Sequence, residues 1–378
     1  VKPTTSIIRR FEVPAPGWVR QLWTLVAPLA FVYLISLLAV GFSPAAAISL
    51  RYALGNLVLV VALQTFVGNS GVLSFGHLAF AAVGSWTVGL LTLSPTIKKA
   101  LIPTLYPWLS DAQLSPLFTI LLAAIAGAIV AFLSGLVLMR LNGLQSGIAT
   151  IALLGLTTQI LTNWKKIGPP GGQAIVGVPA GMDLQGVLFL TLFVILVAWL
   201  YQRTASVRML RAAREDATAA PASGINITRH RLIAFIVSGG LAGIGGAMWA
   251  ETNRVIQASQ FDVAFTFTII SMLVIGGMFS LWGAVFGSIA ISVISYVLTL
   301  GERGWHIGSF TVTLPNGSTP VVLAVLLIIV LILRPKGVTG GREAGWPFRS
   351  RTNPVVDPSM LEPGDSGHAV PDPVVSEK

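Results

Sequence analysis

Leu117-Phe-Thr-Ile-Leu-Leu-Ala-Ala-Ile-Ala-Gly-Ala-Ile-Val-Ala-Phe-Leu-Ser-Gly-Leu-Val-Leu-Met139 carries neither a charge nor a proline. A bilayer core takes roughly 20 apolar residues for one helical crossing. With no water to satisfy peptide groups in hydrocarbon, such a run must close its hydrogen bonds internally and reads as a transmembrane helix. Further apolar runs are Leu22–Phe42, Ala53–Phe66, Leu73–Leu93, Ser146–Thr162, Val187–Tyr201, Leu232–Ala250, Phe265–Met278, Ala284–Leu300 and Val321–Leu333. Several are shorter than about 20 residues and need polar extensions, tilt or a break. The predicted fold is all-α and polytopic, with about ten transmembrane helices. Leu22–Phe42 exceeds the roughly 7–15 residues of a signal-peptide core, so it reads as an uncleaved span although Ala45–Ala47 follows.

Composition agrees. Of 378 residues, 54% are hydrophobic and 10% charged, against about 25% charged in soluble domains; the mean hydropathy is +0.81. A soluble enzyme, a disordered chain and a secreted disulfide scaffold are excluded. Zero cysteines remove disulfides, thiolate metal sites and Cys nucleophiles. The net charge of +10 comes from 24 Lys and Arg against 14 Asp and Glu, and its placement points to membrane lipid rather than nucleic acid. With a cytoplasmic N-terminus, seventeen basic residues fall on the cytoplasmic side; Arg51, Lys98, Lys99, Lys165, Lys166, Arg254 and Arg303 fall opposite. Ten crossings place both basic ends in the cytoplasm, as the positive-inside rule asks. Residues 1–21 then form a cytoplasmic segment, 22–334 the membrane domain with a cytoplasmic loop at 203–231, and 335–378 a Pro- and Gly-rich disordered tail.

Catalytic signatures are missing. His77, His230, His306 and His368 form no H-E-x-x-H, and neither a P-loop nor a G-x-S-x-G elbow occurs. The chain reads as a non-enzyme that binds no cofactor or metal. Its acidic residues all fall in loops, tails or span ends, whereas ion-coupled carriers place ionisable groups within the membrane. Only His77 is a candidate for such a role. Transport through these helices needs an energy source outside the polypeptide, or none.

Four segments carry the functional readings. Gly68-Asn-Ser-Gly-Val-Leu-Ser-Phe-Gly-His77 interrupts the apolar pattern: Asn69, Ser70, Ser74 and His77 line a polar path or gate, or the segment is a tight inter-helix turn. Thr150, Thr157 and Thr158 share one helical face and line a wet path, or bond their own preceding carbonyls. Trp164-Lys-Lys-Ile-Gly-Pro-Pro-Gly-Gly172 offers Lys165 and Lys166 to an external partner, or is a solvated connector. In Arg203–Arg231, the longest polar interruption, Val207, Leu210, Ala213 and Ala217 recur at helical intervals and Gly224 supplies a stop. This short amphipathic helix docks in another protein's groove, or lies on anionic lipid. A faint echo links Gly71–Gly76 with Gly277–Gly283, two Gly/Ser turns after apolar helices.

Arg211-Ala-Ala-Arg-Glu-Asp-Ala-Thr-Ala-Ala-Pro-Ala-Ser-Gly-Ile-Asn226 resembles the cytoplasmic loop of permeases in the branched-chain amino acid ABC importer family, LivM type. Gly71-Val-Leu-Ser-Phe-Gly-His-Leu-Ala-Phe80 with Gly84, the stretch from Asn163 through Gly171-Gly172 to Gly177-Val-Pro179, Gly276-Gly-Met-Phe-Ser-Leu-Trp-Gly283 and Leu333-Arg-Pro-Lys-Gly337 agree in order. The resemblance covers about residues 50–337. It implies a type II-like importer permease of the bacterial plasma (inner) membrane, forming half of a translocation path. Its partners would be a homologous permease, two cytoplasmic ATPases holding ATP and Mg, and a solute-binding protein. Arg211, Arg214, Glu215, Asp216, Ala219 and Gly224 become the ATPase-coupling loop. Asn69, Ser70, Ser74, Gly76, His77, Gly84 and Thr150 become path candidates, and Lys165 and Lys166 dock the binding protein. A branched-chain or other amino acid is the expected solute; urea, amides and aromatic acids are others in the family. Two departures stand out. Asn142-Gly-Leu-Gln145 replaces an Arg-Gly-Asp-Tyr-like stretch, and Pro221 is expected to break the coupling helix. The competing class is a self-contained channel or uniporter for a small neutral solute, to which residues 211–224 would be dispensable.

Overall fold

Proline and short polar caps set where the apolar runs begin. Pro95, Pro107 and Pro116 each open a helix, where a missing N–H costs nothing. Asp183, Asn226, Asp262 and Ser280 accept backbone N–H bonds from Gly186 (2.8 Å), Arg229 (3.0 Å), Phe265 (2.8 Å) and Gly283 (2.9 Å). Two of the chain's few carboxylates are therefore spent as N-caps. The computed structural model describes residues 17–42, 44–141, 143–307, 310–315, 317–334 and 336–345. Residues 1–16 of the expected N-terminal segment, Asn142 and the expected tail from 346 lie outside them.

The chain passes through α1 (Gly17–Phe42), α2 (Pro44–Ser70), α3 (His77–Thr92), α4 (Pro95–Leu101), α5 (Pro107–Ser110), α6 (Pro116–Leu138) and α7 (Gly143–Asn163). It continues through α8 (Leu184–Gln202), α9 (Ala205–Glu215), α10 (Ala219–Ala222), α11 (Ile227–Asn253), α12 (Val263–Gly276), α13 (Leu281–Arg303) and α14 (Ser318–Leu333). Two short antiparallel ladders pair Ile175–Val176 with Val255–Ile256 and Trp305–Ile307 with Phe310–Val312. Each of the ten apolar runs contains a helix, although residues 73–76 of one and 277–278 of another lie outside it. Among the described residues, however, seven helices are long and apolar enough to cross a membrane, or eight if α3 and α4, bent by 120°, are one broken span. The expected count of ten is not reached: α14 has 16 residues, and α7 is outside the set.

α11 is the centre of the bundle, packed on α2, α3 and α6. Its run Ser238-Gly-Gly-Leu-Ala-Gly-Ile-Gly-Gly-Ala247 lets backbones touch. A Cβ on Gly84 of α3 would strike the Gly243 carbonyl, and one on Gly246 the Ala81 carbonyl. Likewise, one on Gly127 of α6 would strike the Gly239 carbonyl. In the resulting seam Ser85 Oγ donates to Gly246 O at 2.6 Å. Small-residue contacts of this kind let van der Waals packing join helices where lipid removes the hydrophobic drive.

Two expectations need correction. Residues 336–345 do not leave the fold: Val338 and Thr339 donate to Ile275 O (2.8 Å) and Gly276 O (3.2 Å), and Glu343 takes the N–H groups of Leu281 (2.8 Å) and Trp282 (3.1 Å). The segment stays because it satisfies the exposed ends of α12 and α13, which intrahelical bonds leave open. The helix expected to couple, α9, breaks before Pro221, at Asp216, which turns extended and accepts the N–H groups of Thr218 and Ala219, both at 2.9 Å. Pro221 sits inside the one-turn α10, and Gly224 (φ +77°) closes it with Ile225 N–H bonded to Ala220 O at 3.1 Å.

Gly84→Ala is expected to destabilise the fold by about 1–3 kcal/mol through overpacking, and Gly84→Leu to prevent assembly. Thermal melting and size-exclusion in detergent check this; an unchanged profile for the leucine variant would refute the contact.

Candidate functional site

Sequence-distant motifs meet at one end of the bundle. Val207, Leu210 and Ala213 bury one face of α9, leaving its arginines to reach sideways. Arg211 Nε donates to Asn69 Oδ1 at 2.8 Å, while Asn69 Nδ2 donates to Thr65 O at 2.8 Å. Arg214 donates to Gly68 O at 2.7 Å, pairs with Glu215 at 2.8 Å and lies 4.6 Å over the Phe279 ring. Arg214 also lies against Gly71, so one residue bridges the two Gly/Ser turns that echo each other, at 71–76 and 277–283. Gly68 itself abuts the Met278 carbonyl.

The electrostatics of this end are those of cations held mostly by neutral acceptors. Burial keeps the Arg211 guanidinium below its ordinary pKa, with the Glu343 charge opposing and Arg214 adding to the shift. Burial pushes the Glu343 carboxyl up, against the pull of the Leu281 and Trp282 N–H groups and Arg211. Asp216 is held below the usual carboxylate range by the Ala219 N–H first and by Thr218 next. Ala219 and Gly224 thus serve the turn after α9 through backbone, not side chain.

The path candidates are packed, not open. His77 is buried, its Nδ1 2.8 Å from Ser74 Oγ and its Nε2 3.0 Å from Ser238 Oγ. The Ser238 hydroxyl also lies 3.0 Å from Phe235 O; when it donates there, Nε2 carries the ring proton and Nδ1 accepts from Ser74. Phe66, Phe80 and Phe235 surround the ring. Ser74 and His77 border a void of about 10 Å³, room for about one water. Ser70 Oγ accepts from Val72 N–H, closing the turn. Thr150 Oγ1 accepts from Phe75 N–H at 3.0 Å and donates to Gly147 O, and a Cβ on Gly76 would meet Thr150 O. Gly76 and Gly84 are close-contact positions.

A larger opening lies at the opposite end, between the first half of α2 and the last half of α13. Its volume is about 380 Å³, and Tyr52, Asn56, Ser292, Tyr296, Thr299 and Arg303 are among its walls. Asn56 Oδ1 and Ser292 Oγ are buried without a hydrogen-bond partner, and such atoms need explaining in any native structure. An apolar groove of about 290 Å³ adjoins it, sharing Ser49, Ala53, Ser292 and Tyr296. Sequence reasoning passed over these residues. The available signal was a polar stripe on α13, Ser288, Ser292, Ser295 and Thr299, recurring at helical spacing. Nearby, buried Glu251 sits beside the Met182 amide and Arg51 guanidinium, close to the end of α11.

Lys165 and Lys166 are exposed at this same end. Lys166 Nζ stands 5.1 Å over Tyr106, Thr104 Oγ1 donates to Lys165 O, and Lys98 is buried on the Leu109 and Ala112 carbonyls. Exposed Trp164 precedes the lysines in sequence, and exposed Trp108 stacks on Tyr106, over which Lys166 lies; aromatic residues are common at membrane boundaries.

Residues 45–332 match the family model for the branched-chain amino acid transport system permease component. The high-affinity branched-chain amino acid transport system permease protein LivM of Salmonella typhimurium is 25% identical over 315 residues, 75% of this chain and 67% of that protein. LivM of Escherichia coli is 25% identical over 316 residues, with the same coverage. The autoinducer 2 import system permease protein LsrC of Salmonella paratyphi B is 29% identical over 192 residues, 47% of this chain and 54% of that protein. No solved structure matches.

Arg211→Ala strands a buried acceptor at Asn69 and is expected to cost about 1–3 kcal/mol. With Asn69→Ala in addition, the losses should fall short of additivity by at least about 0.5 kcal/mol. A double-mutant cycle on thermal unfolding reads this, and strict additivity would refute the pairing.

Proposed function

Since the chain belongs to the branched-chain amino acid transport permease family, we propose that this multi-pass membrane protein forms half of the solute path of an ATP-binding cassette importer. It pairs with a second, homologous permease and takes its energy from two ATPase subunits that bind ATP and Mg. A solute-binding protein delivers the cargo. The bacterial plasma membrane is its location, with the α9 end facing the cytoplasm.

The observation carrying this reading is the seating of α9. Its apolar face is buried, Arg211 and Arg214 fasten it to the end of α2, and Glu215 and Asp216 stay exposed. A helix held on one face and open on the other suits a second protein pressing on it. Its basic surroundings support cytoplasmic placement.

At the far end, the α2–α13 cavity suits a small amphipathic solute. Arg303 faces an anionic group, Asn56 and Ser292 offer unused hydrogen-bonding atoms, and the adjoining groove takes an apolar tail. A branched-chain or other amino acid has that chemistry. Lys165 and Lys166 with Trp108 and Trp164 offer the binding protein a cationic, aromatic rim.

Glu215→Arg is expected to abolish ATP-driven uptake in proteoliposomes carrying all subunits, while the permease still inserts and melts as wild type. Concentrative uptake by this chain alone would overturn the reading in favour of a self-powered transporter. Asn56→Leu fills the cavity and is expected to lower uptake about tenfold, equivalent to about 1.4 kcal/mol, with ATPase assembly intact; full uptake would move the path elsewhere.

A further inference from the structure

A second polar cavity, of about 420 Å³, opens at the α9 end where α9 meets α1 and α8. Arg203, Arg208 and Arg211 converge in its wall with Trp199, and among the described residues Glu343 is the one carboxylate there. The Arg203 guanidinium stacks 3.6 Å from the Trp199 ring centroid and donates to Gln21 Oε1 (3.1 Å) and Gln21 O (2.9 Å). Arg208 donates to Arg203 O at 2.9 Å, and Arg211 to Asn69 Oδ1.

Every one of these acceptors is neutral. The ion pairs among the described residues are Lys99–Asp111 and Arg214–Glu215, so none of the three guanidiniums has a paired carboxylate. Glu343 is already engaged by two backbone N–H groups. Three permanent cations face one occupied anion, and each guanidinium has N–H groups left over from its five. Burial holds Arg211 below the ordinary guanidinium value, while Arg203 and Arg208 are exposed at the mouth of the cavity. Planar forks with spare donors match the oxygens of a phosphate. On the flanking helices, Leu22, Val26 and Leu200 are exposed apolar side chains, a track for acyl chains.

We propose that the Arg203–Arg208–Arg211 cavity binds a phosphate oxyanion, carried by an anionic phospholipid headgroup or by a soluble phosphate ester, and that the bound anion fixes α9 against α1 and α8. The binding is independent of the importer reading; its effect on energy coupling rests on that reading. The site lies in the polar rim of the bundle, where membrane headgroups reside.

Native mass spectrometry of the full chain, released from micelles holding phosphatidylglycerol or phosphatidylcholine, tests it. Phosphatidylglycerol should be retained at least tenfold more strongly, and Arg208→Gln combined with Arg203→Gln should erase that preference. Arg229→Gln, on the neighbouring helix start, serves as control and should keep it. If inorganic phosphate at millimolar concentration binds the lipid-free chain and displaces phosphatidylglycerol, the natural ligand is a soluble ester; if it does neither, the ligand is lipid. Equal retention of both lipids with no effect of phosphate overturns the proposal, as does full selectivity in the double variant. Melting temperature of each variant separates lost binding from lost fold. In the complete importer, phosphatidylglycerol should raise ATP-driven uptake severalfold in wild type and not in the variant; failure of that arm alone tells against the coupling role and leaves the site standing.

Discussion

Backbone-to-backbone contact along α11 is the constraint on which the bundle depends. Where Gly84 meets Gly243, Gly246 meets Ala81 and Gly127 meets Gly239, helices approach too closely for any side chain. Hydrocarbon offers little hydrophobic reward for bringing helices together, so dispersion over a flush seam and bonds such as Ser85 to Gly246 take its place. His77, clamped between Ser74 and Ser238 among three phenylalanines, extends that seam with fully satisfied polar contacts. Such satisfaction is what lets a polar side chain sit deep in the bundle without an aqueous channel beside it.

The α9 end is built on a different principle. Its ties run from guanidinium groups to amide and carbonyl oxygens, Arg211 to Asn69 and Arg214 to Gly68. Charged donors on neutral acceptors are stronger than ordinary hydrogen bonds, yet leave net positive charge available to anything negative that approaches. This surface is therefore both a structural joint and an electrostatic attractor.

Much of this architecture was legible in the chain. Apolar runs marked every long helix because a 3.6-residue helix is the simplest way to hide peptide groups from lipid. Val207, Leu210 and Ala213 announced the buried face of α9. The ten expected crossings exceed the seven or eight helices long and apolar enough among the described residues, since the chain bends by 120° between α3 and α4 and α14 has 16 residues. The residues 336–345 were unreadable for another reason. They are polar, aperiodic and glycine-rich, and their partners at Ile275, Gly276, Leu281 and Trp282 lie some sixty positions away. The cavity between α2 and α13 escaped notice although α13 carries a polar stripe, because only the apposition of that stripe with Tyr52 and Asn56 of α2 makes an opening. Gly76 and Thr150 were expected only as separate path positions; their contact is a steric fit of a turn on α7.

The length of α2 has a mechanical consequence. It runs 27 residues, about 40 Å at 1.5 Å per residue, with Arg211 and Arg214 gripping one tip and the α13 cavity against the other. Between the two it packs on α11, where Gly245 meets Val58 and Leu59, so one continuous helix connects the α9 joint to the cavity wall.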